Sequence, residues 1–304
     1  MNLRIGTRSS KLALWQANHV KDLLAEHGIA AELVLYKTTG DLQQSQPLHE
    51  IGGKGLFTKA LDDAMLAGEI DLAVHSAKDL PTELPESILL MAVGKREDPR
   101  DVLLSMNEAH DLDNVAEGIT VGTSSLRRIA LLRHYSPHVR MVPMRGNVDT
   151  RVAKMQAGEC DALLLAYAGV KRMGLSHLVV RKLNVSTFTP AVGQGALGLT
   201  MQEGHPSLER VRAVLNHRDT EVAVLAERAF LRTLEGGCHS AVFALGTVVG
   251  DILSFSGGVA AQDGSEVLRR NIDCHVSEAE EAATRLANDL LISGARTLLH
   301  GKES

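Results

Sequence analysis

Apolar positions recur along this chain in two alternating rhythms. Short apolar runs at Leu3–Ile5, Leu33–Thr38, Leu72–Val74 and Leu89–Val93 read as strands, and stretches of helical period separate them. Ser9 or Ser10 is expected to cap the first helix, which turns Leu12, Trp15, Val20, Leu23 and Leu24 inward and ends at Gly28. A second helix is expected near Thr58–Leu66. Strands alternating with helices predict a mostly parallel, doubly wound sheet. The pattern then starts again. Ile5-Gly6-Thr7-Arg8-Ser9-Ser10 is echoed by Val121-Gly122-Thr123-Ser124-Ser125, and Ala67-Gly68-Glu69-Ile70-Asp71 by Ala157-Gly158-Glu159-Cys160-Asp161. The offsets differ, so no strict repeat is established; two similar α/β domains with a cleft between them is the economical expectation.

Val139–Val142 and Leu163–Ala166 read as strands of the second domain. Arg96-Glu97-Asp98-Pro99-Arg100-Asp101 reads as a first crossover and Thr189-Pro190-Ala191-Val192-Gly193-Gln194-Gly195 as the return, after which a strand and helix complete the first domain. From about Arg218 the texture changes. A helix from about Thr220, capped by Asp219 or Thr220, carries Val222, Leu225, Ala226, Ala229, Phe230 and Leu234 as its apolar stripe. Gly236 and Gly237 are expected to stop it and to leave Cys238 uncrowded, either as a carrier thiol or as a small buried hydrophobe. Ala241–Val249 and Ile252–Val259 flank Gly250-Asp251 as a hairpin, Val267–Val276 adds a strand, and Ser277 caps a long helix. The expected fold is two doubly wound α/β domains of the periplasmic-binding-protein kind, joined by two crossovers. A small C-terminal α+β domain with a three-stranded antiparallel sheet follows. The expected domains are 1–96 with 194–215, 97–193, and 216–304.

Composition narrows the function. In 304 residues, aromatics make up 3% and the net charge is −5, which excludes base-stacking surfaces and a sequence-independent grip on nucleic acid. No apolar run reaches membrane-spanning length, and Met1-Asn2-Leu3-Arg4-Ile5 leads straight into structure, so no signal peptide is expected. Cys160, Cys238 and Cys274 are odd in number and far apart, which suits a reducing cytoplasm and gives no zinc spacing; no metal site is expected.

Cations gather at the ends of the expected strands: Arg8, Lys78, Arg127 and Arg128, Arg145, Arg151, and Lys171-Arg172. Ligands of open α/β sheets bind outside the carboxyl ends of strands, helix starts favour anions, and arginine matches carboxylate geometry. At about 1.5–3 kcal/mol per charge-assisted hydrogen bond, so many cations suit a ligand with several carboxylates. Asp79, between an apolar strand and a proline turn, stays ionised among these cations and is placed to stabilise a cation or move protons, or else to cap its own turn. His75 reads as a supporting group. Gly52-Gly53-Lys54-Gly55 matches neither nucleotide motif, and with Pro47 it reads as a mobile loop.

These segments together resemble the porphobilinogen deaminase (hydroxymethylbilane synthase) family. The resemblance runs from Arg4 to beyond Ala295. It is carried by Thr7-Arg8-Ser9, Gly52-Gly53-Lys54-Gly55-Leu56-Phe57, His75-Ser76-Ala77-Lys78-Asp79, the two crossovers, Gly122-Thr123-Ser124-Ser125-Leu126-Arg127-Arg128, Arg145-Gly146-Asn147 and Leu234-Glu235-Gly236-Gly237-Cys238. It implies a dipyrromethane cofactor in thioether linkage to Cys238, which primes the addition of four porphobilinogens and remains after hydroxymethylbilane is released. It implies an acid/base and cation-stabilising role for Asp79 toward an azafulvene-like cation. It also implies cofactor and substrate binding by Arg8, Ser9, Ser76, Lys78, Thr123, Ser124, Ser125, Arg127, Arg128, Arg145, Arg151, Arg172 and Gln194, with Lys54 and Phe57 on the mobile loop. A cytoplasmic monomer is expected. His239-Ser240-Ala241-Val242 departs from the family's apolar-proline sequence, and His239 is expected to face solvent. Two rivals remain on the residues alone. One is an anion-binding module, which would leave the thiol unmodified; the other is a thiol enzyme using Cys238, which alkylation would inactivate.

Overall fold

The computed structural model describes residues 2–37, 58–113, 118–235 and 240–300. Pro47, Gly52-Gly53-Lys54-Gly55, Phe57, Gly236, Gly237, Cys238 and His239 lie outside the described residues. The first elements are β1 (Leu3–Arg8), α1 (Lys11–Glu26), β2 (Ala31–Tyr36), α2 (Lys59–Leu66), β3 (Leu72–Ser76), β4 (Ile88–Val93) and β5 (Asp101–Ser105). Then come β6 (Thr120–Gly122), α3 (Leu126–Tyr135), β7 (Arg140–Val142), α4 (Val148–Gln156), β8 (Ala162–Ala166), α5 (Tyr167–Arg172) and β9 (Val179–Lys182). The chain closes with β10 (Leu197–Gln202), α6 (Leu208–Leu215), α7 (Arg218–Thr233), β11 (Val242–Val249), β12 (Ile252–Ala260), β13 (Val267–His275), α8 (Ala279–Ile292) and α9 (Ala295–His300). It forms two compact units, Met1–Glu97 with Ala196–Glu221, and Asp98–Gly195 with Val222–Ser304.

The first unit holds one sheet in the order β2-β1-β3-β10-β4. β1 pairs in parallel with β2 and β3, and β10, returning from the second crossover, lies antiparallel between β3 and β4. Ser10 caps α1 by accepting from the Ala13 N–H, and the helix buries Ala13, Gln16, Ala17, Val20 and Leu24. The expected inward stripe is therefore rotated: Trp15 is 41% exposed and stacks on His19, while Leu12 and Leu23 are only half-buried. Small alanines let the helix lie close to the sheet, and a tryptophan fits that contact poorly.

The second unit repeats the plan as β7-β6-β8-β5-β9, with β5 antiparallel between β8 and β9. The echoed segments occupy matching places. Asp71 accepts from the Arg4 N–H and its own N–H donates to the Arg4 carbonyl; Asp161 does the same with Thr120. Gly68 and Gly158 end the preceding helices at φ +70 and +87, where a side chain is strained. A Cβ on Gly122 would stand 2.9 Å from Cys160 Sγ, just as one on Gly6 would run into Ile70. The internal similarity is thus one of architecture. Strands β5 and β9 were not expected from the sequence.

The same unit holds the antiparallel sheet β11-β12-β13, hinged at Gly250 with φ +62. Phe230 of α7, Phe255, Leu253, Leu286 and Leu290 form its core. Ala241, Phe243 and Ala260 pack with Leu131, Leu164 and Phe188 of the α/β part. The start of α7 is held not by Asp219 or Thr220 but by His217, whose Nδ1 accepts from the Thr220 N–H at 3.3 Å. Ser277 likewise sits in a short turn before α8 rather than capping it.

Candidate functional site

In the first unit, β1 ends at Arg8, with Ser9 exposed just beyond, and the neighbouring β3 ends at Ser76. Gln16, buried on α1, donates from Nε2 to Ser76 Oγ at 2.9 Å and fixes that hydroxyl. A turn of 3₁₀ helix, Ala77–Asp79, follows; its Ala77 N–H donates to the Ala196 carbonyl, and the Leu80 N–H closes it onto the Ala77 carbonyl. Lys78 and Asp79 are both half-buried on this braced turn. Beneath it, His75 is buried with Nε2 against Thr200 Oγ1 at 3.2 Å. Burial, reinforced by the nearby Arg8 charge, lowers His75 to about 4, so it is a neutral support at neutral pH.

In the second unit the loops after β6 and β7 are wired together. Ser124 Oγ donates to the Met144 carbonyl at 3.1 Å and accepts from the Met144 N–H at 2.9 Å. Ser125 caps α3 by accepting from the Arg128 N–H, and buried Thr123 donates its N–H to the Val142 carbonyl. These hydroxyls shape the loop, leaving the start of α3 to offer N–H donors and the positive end of its dipole. Arg145 follows β7; its Nη1 is buried and meets no hydrogen-bond partner among the described residues. Arg151 Nε donates to the Gly146 carbonyl at 2.7 Å, and Arg172 Nη2 to the Gly195 carbonyl at 2.9 Å, which brings Arg172 beside the crossover residue Gln194.

Arg127 and Arg128 differ from expectation. Instead of standing at the strand ends as presented cations, both are buried on Asp101. Arg127 Nη1 donates to Oδ2 at 2.7 Å, and Arg128 Nη2 and Nε donate to Oδ1 at 2.8 and 3.2 Å. Burial pushes the Asp101 carboxyl up, but the two guanidiniums overcome it and hold the group far below the usual carboxylate range. Asp101, Gln16 and Glu227 are the residues sequence reasoning missed. Gln16 and Glu227 are polar residues on largely apolar helix faces, and Asp101 stood out only as the last residue of the expected first crossover.

Among the described residues there is no cluster of His, Cys, Asp and Glu able to hold a metal ion, and no helix long and apolar enough to cross a membrane. Residues 3–210 match the family model for the porphobilinogen deaminase dipyromethane cofactor binding domain, and residues 222–292 match that for the porphobilinogen deaminase C-terminal domain. The chain is 47% identical over 302 residues to the porphobilinogen deaminase of Cytophaga hutchinsonii, covering 98% of this chain and 96% of that one. It is 46% identical over 299 residues to that of Trichlorobacter lovleyi, covering 98% and 95%. It is also similar, at TM-score 0.44 and 11% identity over 70% of this chain and 89% of that one, to the methionine binding protein MetQ. With both family domains present in order and near-full coverage of its relatives, the chain belongs to the porphobilinogen deaminase family.

Proposed function

We propose that this chain joins four porphobilinogen molecules head to tail into hydroxymethylbilane with release of ammonia, the chain-building step of tetrapyrrole synthesis, primed by a dipyrromethane on Cys238. The structural observation that supports this is the Arg145 guanidinium. A buried N–H without an acceptor costs about 1–3 kcal/mol, so Nη1 is placed for an acceptor that a ligand brings. Arg145, Arg151, Arg172 and the start of α3 are a donor set suited to carboxylates, and they fit a pyrrole group bearing acetate and propionate arms. When bound, that group supplies a free pyrrole carbon as nucleophile. Arg8, Ser9, Ser76 and Lys78 would hold substrate carboxylates in the first unit. Asp79, half-buried on its braced turn, would offset positive charge on the substrate and take up and return its proton.

We propose further that Thr123, Ser124 and Ser125 line the binding region, that Gln194 serves it through its bonds to Asp101 and the Pro99 carbonyl, that the chain works as a cytoplasmic monomer, and that it divides into domains 1–96 with 194–215, 97–193 and 216–304. Cys160 and Cys274 are unpaired among the described residues, which agrees with a reducing compartment. The test is the intact mass of the purified protein with peptide mapping, followed by turnover of porphobilinogen. An excess of two porphobilinogens less two ammonias on Cys238, with release of hydroxymethylbilane, is expected. A protein that gains no adduct and consumes no porphobilinogen would be a binding module instead.

A further inference from the structure

A buried ion cluster is an odd element in a protein core. Asp101 is fully buried, and the side chains of Arg127 and Arg128 are 4% and 6% exposed. Taking such charges out of water costs several kcal/mol each, and well-packed apolar residues in their place are often as stable or more so. Stability alone therefore does not explain the cluster. What it does explain is geometry. Besides Asp101, Arg127 Nη1 donates to the Thr189 carbonyl at 2.8 Å, at the start of the return crossover. Arg128 Nη1 donates to the Leu164 carbonyl at 3.0 Å, on β8, the strand that leads to Arg172. Gln194 Nε2 donates to Asp101 Oδ1 at 3.0 Å and to the Pro99 carbonyl at 2.7 Å. Both arginines sit in the first turn of α3, which starts at Leu126 directly after Thr123-Ser124-Ser125. One carboxylate thus ties together the start of α3, β8, both crossovers and β5.

We propose that Asp101 is a positioning residue for the deaminase reaction. It acts through Arg127, Arg128 and Gln194 to hold the ligand-binding loops of the second unit in register, and it never touches the ligand. The inference rests on the function proposed above. The cluster keeps one net positive charge, since two guanidiniums face one carboxylate, so the region still favours an anion. Removing the carboxylate's charge while keeping its shape leaves two like charges side by side in the core, and they must separate. The loops they anchor then lose their register. Because the anchored loops carry binding donors rather than the reacting carboxylate, the loss falls on KM and on cofactor attachment, not on kcat.

The experiment compares wild type, Asp101→Asn and Gln194→Leu, all purified as the full chain after expression. Attached dipyrromethane is read by intact mass, porphobilinogen kinetics on the loaded fraction, and folding by circular dichroism and thermal midpoint. Asp101→Asn is expected to load at least fivefold less and to show a KM at least tenfold higher, with kcat within threefold of wild type. Gln194→Leu removes two hydrogen bonds and leaves both ion pairs, so it tests the same cluster if Asp101→Asn does not fold. It is expected to raise KM about fivefold with kcat within twofold. Wild-type loading and KM in a folded Asp101→Asn, or in Gln194→Leu where Asp101→Asn does not fold, would overturn the proposal. A loss confined to kcat would overturn it too. Wild type is the control for the reading beneath: if it carries no adduct and turns over no porphobilinogen, that reading fails, whatever the variants do.

Discussion

Glu227→Gln puts a number on how firmly the helix that leads to Cys238 is held. Glu227 is fully buried on α7, where its Oε2 accepts the Gly193 N–H at 2.7 Å and its Oε1 accepts the Gly246 N–H at 2.8 Å. One bond ties α7 to the return crossover, and the other ties it to β11. Glutamine keeps the shape but offers one carbonyl oxygen, so its amide nitrogen must face the other N–H. The variant loses a charge-assisted bond, about 1.5–3 kcal/mol, and leaves a buried donor facing a donor, about 1–3 kcal/mol. The expected loss is about 2.5–6 kcal/mol. Two compact units need not unfold together, so a local probe is the right assay. Amide hydrogen exchange of peptides containing Gly193 and Gly246 is expected to quicken by roughly 60-fold or more, at about 1.4 kcal/mol per tenfold, while peptides of β1 and α1 keep wild-type protection. Unchanged exchange at both glycines would show that neither bond holds the helix, and the reasoning would fail.

Arg128→Leu takes two donors from Asp101 Oδ1 and one from the Leu164 carbonyl, while Arg127 still balances the carboxylate, so it is expected to cost about 1.5–3 kcal/mol as well as activity, measured by thermal melt. That gives this arginine a structural role beside the binding role that the family resemblance implies. Arg145→Leu removes a buried donor that has no partner among the described residues; melting is expected to stay within about 1 kcal/mol of wild type while dipyrromethane attachment falls at least tenfold by intact mass. Asp79→Asn is expected to keep the fold and lower kcat at least a hundredfold, and near-normal product formation would remove Asp79 from the chemistry. Acid should weaken the fold in two stages. His75 is lowered in the fold, so an unfolded chain binds its proton first and stability falls as pH drops from about 6.5 toward about 4. Asp98 is also lowered, to about 2: burial raises it, but Arg100 and Lys182 outweigh that, and its contribution is lost as pH falls from about 4 toward about 2. Circular dichroism across this range should show Asp98→Asn making the lower stage shallower, with Asp101 still contributing to it, and leaving the upper stage unchanged.

Much of the fold was legible because local rules agree with tertiary ones. Ser10, Gly28, Gly68 and Gly158 mark helix ends wherever they occur, and the β11–β12 turn is announced by Gly250-Asp251. The sequence echoes were legible for the same reason, since Asp71 and Asp161 serve identical backbone partners. Strand β5 was hidden because its pairing partners β8 and β9 lie far along the chain, and the three apolar residues Val102, Leu103 and Leu104 look alike in a strand or a buried turn. The inward face of α1 was misread because apolar size suggested Trp15, whereas close packing favoured alanines.

For the site, sequence alone determined the chemical inventory: which cations follow which strands, that a carboxylate stands at Asp79, and the segments that carry the family resemblance. Those are local facts of residue type and order. Only the tertiary structure decided how the charges are used. The Arg127 and Arg128 guanidiniums could equally have faced a ligand or a protein carboxylate, and the choice was made by Asp101, 26 residues before Arg127, when β5 entered the sheet beside β8. Partnership between charges depends on distance and burial, and neither is written in the spacing of residues along a chain.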